Sequence, residues 1–143
     1  EECKRLNPDS HTGFKRSMDD GAFERAFYTI GDTATIASQA CVHLLQMDGA
    51  GMKYPGYNGV VYVLEGADGN NKNIILALAL VPAENKENYI WFLQHIKQSG
   101  LRDWVQTPNM PLLSDRHKGI KPAVTAELLN AKQVDLYLLC YFW

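Results

Sequence analysis

The 143-residue chain is the size of one domain and long enough to build a core, since a domain of roughly 150 residues hides about two thirds of its unfolded surface. Apolar residues make up 46% and charged residues 21%, a soluble globular balance, and a formal charge of −2 with a pI near 6.1 argues against a dedicated DNA-binding module, which needs a basic surface to neutralise phosphates. The longest apolar run, residues 74–81, is far too short to cross a bilayer. The N-terminus has no apolar stretch of the signal-peptide kind, so the domain is expected to be intracellular. Cys3, Cys41 and Cys140 show neither zinc-type spacing nor an even disulfide framework.

Residues 1–20 are polar, punctuated by "NPDS" and "HTG", and read as a flexible leader before a core spanning 21–143. "GAFERAFYTIGDTATIASQA" (21–40) opens with a helix-like spacing of Phe23, Phe27 and Ile30, broken at Gly31-Asp32. Three strands are expected next: "CVHLLQMD" (41–48), "GVVYVLEGA" (59–67) and "NIILALALV" (73–81). "GAGMKYPGYN" and "DGNNK" provide the returns between them. "ENKENYIWFLQHIKQSG" (84–100) has the 3.6-residue period through Tyr89, Leu93 and Ile96, with Gly100 as its C-cap. "MPLLSD" (110–115) reads as a fourth strand, "KGIKPAVTAELLN" (118–130) as a second helix with Pro122 in its first turn, and "VDLYLLC" (134–140) as a fifth strand.

The order β-β-β-α-β-α-β is that of the ribonuclease H-like α/β fold, a mixed five-stranded sheet flanked by helices. There the fourth strand returns beside the first and parallel to it through a right-handed crossover. Asp48 would end the first strand and Asp115 the fourth, bringing two carboxylates together where strands about 4.8 Å apart terminate. Close carboxylates repel unless a proton or a cation separates them, and Mg²⁺ takes carboxylate and phosphate oxygens. A pair of such ions can activate a nucleophile and stabilise the leaving oxygen of a phosphodiester. An Asp after a buried strand also serves as a helix N-cap, so both readings of Asp115 stand at this point.

"QMDGAGMKYPGYNGVVYVLEGADGNNKNIILALALVPAENKENYIWFLQHI" followed by "LLSDRHKGIKPAV" resembles the catalytic core of Mutator-like element (MULE) transposases over roughly residues 30–130. "SDRHKGI" and "ENKENYIWFL" are the most specific segments. The resemblance implies DDE-type DNA strand cleavage and transfer in the nucleus with Mg²⁺ or Mn²⁺. It also implies transposon-end DNA as partner, brought by domains outside this chain, a possible homo-oligomer, and no membrane. Asp48 and Asp115 match the first two catalytic, metal-holding acids. The family's third acid, a Glu, falls beyond the last residue given, and Cys140 has no His after it, so the core is expected to be truncated at its C-terminus.

Glu84 is expected to emerge at the same sheet edge as Asp48 but one strand removed, working behind the ligands or capping the following helix. Arg116 and Lys118 would meet a DNA phosphate or offset the acidic edge, and Glu127 belongs to a solvated helical face. His117 is expected at the surface, His43 on the first strand and His95 on the helix. Two other readings fit the same residues: a domesticated or degenerate transposase-derived domain that binds DNA or protein without catalysis, and a metal-dependent nuclease of the same fold.

Overall fold

A computed structural model of the chain describes residues 2–115, 118–128 and 131–135. Its elements in chain order are α1 (Glu2–Leu6), β1 (His11–Arg16), β2 (Phe23–Thr29), α2 (Thr33–Ala40), β3 (Cys41–Tyr54), β4 (Tyr57–Asp68), β5 (Asn73–Val81), α3 (Lys86–Gln98), α4 (Arg102–Val105), β6 (Pro111–Ser114), α5 (Ile120–Glu127) and β7 (Lys132–Asp135). The fold is α/β. The strands form one mixed sheet in the order β1-β2-β5-β4-β3-β6-β7.

β3, β4 and β5 form the expected antiparallel meander, and β6 lies parallel to β3 on its other side, as the sequence reading required. The sheet exceeds the expected five strands because β1 and β2 extend it beyond β5. Where a leader was expected, residues 11–16 pair antiparallel with β2 from His11↔Thr29 onward. The helix-like spacing of Phe23, Phe27 and Ile30 is overridden by a period of two. Arg25, Phe27 and Thr29 are buried, and Ala26 and Tyr28 alternate to the other face. The helix begins only after Gly31-Asp32, as α2.

The same alternation sorts the central strands. Leu45 and Met47 of β3, Tyr62 and Leu64 of β4 and Ala79 and Val81 of β5 join Tyr89, Phe92, Leu93 and Ile96 of α3 in one core. Rings run through it in sequence. Tyr62 stacks on Tyr89 at 4.2 Å and 9°, Phe92 packs against both Tyr62 and Phe27 at 5.7 Å, and Phe27 stacks on His95 at 5.1 Å. Each such ring pair adds about 0.5–1.5 kcal/mol beyond the area it buries. The opposite face carries Ala26, Tyr28, Met52, Val61, Leu78 and Leu80, half-buried around a shallow apolar hollow.

Two helix ends depart from expectation. Asn85 caps α3, its side chain accepting from the Asn88 N–H at 2.9 Å. Ser99, one residue before the expected Gly100, closes it. Glu127, expected on a solvated face, instead accepts from Gln94 Nε2 and Lys97 Nζ, both at 3.0 Å, and ties α5 to α3 with its side chain only 14% exposed.

Candidate functional site

β3 is longer than its apolar run suggests, because it continues to Tyr54 as one arm of a hairpin with β4. Its pairing with β6 is short: Leu45↔Leu112, Gln46↔Leu113 and Met47↔Ser114. Asp48 and Asp115 are the next residue on each strand. Asp48 therefore lies within β3 and not at its end; what terminates beside it is β6.

Burial fixes this register. Leu45, Met47, Leu112 and Ser114 are all 0% exposed, and a slip of one residue would turn every one of them to the wrong face. Asp48 is exposed within β3, and Asp115 is exposed immediately after the adjacent parallel strand β6. Asp48 Oδ1 accepts the Gly49 N–H at 2.8 Å, which orients its carboxylate. Asp115 follows β6 directly. The N-cap position of α5 is Gly119, four residues after Asp115.

Glu84 reaches the same region from the end of β5. An added Cβ at Gly49 would stand 3.3 Å from Glu84 Oε1 and 3.4 Å from the Tyr62 ring, so the carboxylate comes in across β4 to the residue beside Asp48. A side chain at this position would crowd the carboxylate, which would have to give by a few tenths of an ångström. The Tyr89 hydroxyl donates to Glu84 Oε1, and the Tyr62 hydroxyl donates to the Ala83 carbonyl at 3.3 Å. Burial pushes the Tyr89 phenol far above its usual range, with the Glu84 hydrogen bond, Tyr62 and the Glu84 and Asp115 charges adding to the effect. Burial likewise raises Tyr62. Both phenols remain neutral donors at any physiological pH.

Lys118 is exposed in the turn before α5. Arg116, His117 and Cys140 lie outside the described residues. His43 is exposed on β3, and His95 is part-buried against His11. The oxygens of Asp48 and Asp115 suit a hard divalent cation in kind. Among the described residues no group of three or more His, Cys, Asp or Glu is placed to hold a metal. The pair would therefore offer two protein carboxylates, with water and phosphate oxygens filling the other positions.

Sequence reasoning missed two parts of this arrangement. Tyr62 read only as part of a β-rich run and Tyr89 as part of a helical period, and their hydroxyl partners follow only from the stacking of β4 against α3. The His11–His95 contact was hidden because residues 1–20 lack any apolar periodicity.

No family model matches the chain, and no curated protein matches it. Among solved structures, it is similar to a chain in the cryoEM structure of the simian T-cell lymphotropic virus intasome in complex with PP2A regulatory subunit B56 gamma, at 15% identity and a TM-score of 0.44. The match covers 65% of this chain and 33% of that one, so the chain spans about a third of that protein's length.

Proposed function

We propose that the chain is a catalytic-core fragment of a MULE-type DNA transposase with a ribonuclease H-like fold, in which Asp48 and Asp115 jointly hold Mg²⁺ or Mn²⁺ for DNA strand cleavage and transfer in the nucleus. The observation that carries this reading is the β3–β6 register. Pairing ends at Met47↔Ser114, and each strand then presents an acid. Strands about 4.8 Å apart bring such carboxylates close enough to repel, a cost that a shared cation removes. When bound, the ion supplies Lewis acidity toward a phosphodiester oxygen and stabilises charge on the leaving oxygen.

The chain's own residues supply position. Buried Met47 and Ser114 hold the two acids at one level, and the Gly49 N–H orients Asp48. Tyr89 keeps Glu84 beside Gly49, where its charge supports a cation. Arg116 and Lys118, just after Asp115, are assigned to a DNA phosphate. With a formal charge of −2, the chain relies on other domains to deliver the transposon ends.

That same charge favours a second reading, a transposase-derived domain that binds DNA or protein without cutting. Thermal melts separate the two. A ligand that binds only the folded state raises the melting temperature as its concentration passes its dissociation constant. Millimolar Mn²⁺ should stabilise the parent and leave Asp48→Asn and Asp115→Asn unshifted. A parent indifferent to Mn²⁺ and Mg²⁺ would remove the catalytic reading and leave the binding domain.

A further inference from the structure

The edge strand β1 is fastened to α3 by two histidines. His11 Nε2 stands 2.9 Å from His95 Nδ1, with ring centroids 5.2 Å apart. Phe27 stacks on His95, Trp91 meets it edge-on at 4.4 Å, and Phe27 also packs edge-on against His11 at 5.6 Å. β1 approaches so closely that a Cβ at Gly13 would overlap the His95 ring. The contact is therefore a built junction between the strand and the helix.

A hydrogen bond between two imidazole nitrogens needs one N–H and one lone pair. The neutral pair meets that need, and so does a pair carrying one extra proton. With both rings charged, an N–H faces an N–H and two cations face each other. We propose that His11 and His95 form a proton-operated clasp that holds β1 on the domain while at least one ring is neutral and releases it when both are charged.

The charged groups that act on His95 from the packed elements are His11 of β1 and Arg25 of β2, and both oppose its protonation. Arg25 is buried, its guanidinium 5.0 Å above the Trp91 ring. Glu24 and Glu87 pair with Arg25 at 3.3 and 3.8 Å, and Glu24 also pairs with Lys15 at 3.0 Å, so these two acids are engaged with other cations. Burial is the largest influence, and together these lower the His95 pKa. The sign follows. The unfolded chain takes up its proton near the usual imidazole value of about 6.5, the folded chain only at lower pH. The contribution of the pair is thus present above that value and is lost as pH falls toward the depressed one.

Hydrogen-exchange protection factors along the 143-residue chain, measured from pH 8 to pH 5 and corrected for intrinsic exchange, test the clasp. Amides of β1 should lose roughly tenfold in protection across that range while β4 and β5 keep theirs, since edge elements open independently of the core. In His95→Gln, and separately in His11→Gln on the more accessible strand, the side chain still bonds but does not titrate, and the fall should flatten. Protection of β1 that stays constant with pH in the parent, or that falls equally in both Gln variants, overturns the proposal. Imidazole ¹⁵N shifts give a readout free of substitution: two fully charged rings with β1 still protected would equally contradict it.

Discussion

Met47 and Asp48 are neighbours in the chain, as are Ser114 and Asp115, yet each pair divides two regions that obey different physics. Met47 and Ser114 are wholly buried in the core under α3 and α5, while Asp48 and Asp115 are exposed where β6 ends. The buried side holds the strands in register. The exposed side inherits a fixed position and carries little of the folding energy, so it is free to be acidic. If this division is right, substitutions on the two sides should have opposite signatures: large losses of stability on one, losses of metal response alone on the other.

The largest effect belongs to the ring row. Phe92→Ala, at a residue 0% exposed and packed on Tyr62 and Phe27, should cost about 3–5 kcal/mol in urea unfolding. A loss under about 1 kcal/mol would mean the row does not organise the core. Tyr89→Phe keeps the stack on Tyr62 but removes the donor to Glu84, and should cost about 1–3 kcal/mol, because a hydrogen bond to a carboxylate is stronger than a neutral one. The companion Tyr62→Phe, whose hydroxyl donates to the neutral Ala83 carbonyl at 3.3 Å, should cost less in the same unfolding experiment.

Asn85→Ala removes the cap of α3 and should cost about 1 kcal/mol, with Glu84→Gln leaving that cap intact. The smallest effects are expected at the acids. Asp48→Asn and Asp115→Asn should each change metal-free stability by no more than about 0.5 kcal/mol, as exposed positions do. A loss of 2 kcal/mol or more at Asp115 would give it a structural role and blur the division between the two sides.

The central part of this fold was legible in sequence because its signals are local. "NIILALALV" and "GVVYVLEGA" are β-rich runs between turn residues, and "ENKENYIWFLQHI" carries its own helical period. The parallel return of the fourth strand followed from element order. The first forty residues were not legible. Phe23, Phe27 and Ile30 fit a helix as spacing, and only β5 alongside makes Arg25, Phe27 and Thr29 one buried face of a strand. β1 has no apolar run at all; it is held by its ladder to β2 and by His11, whose partner is 84 positions away.

The acids show the same limit. Their adjacency was readable, but Asp48 was placed at a strand end, because "GAGMKYPGYN" reads as a return when the chain in fact continues in β3, paired with β4, as far as Tyr54. Glu84 seemed too far from Asp48 by strand counting. Its side chain closes that gap over Gly49, which strand spacing alone does not reveal.

The proposed function places a divalent cation between Asp48 and Asp115, and Mn²⁺-induced broadening of backbone amide NMR signals would locate such an ion directly. The signals of Met47, Asp48 and Gly49 and of Ser114 and Asp115 should broaden first on titration, and Asp115→Asn should abolish the effect at both strands together. Broadening that begins instead at other surface acids, such as Asp19 and Asp20 or Asp68, and that is unchanged in Asp115→Asn, would contradict it.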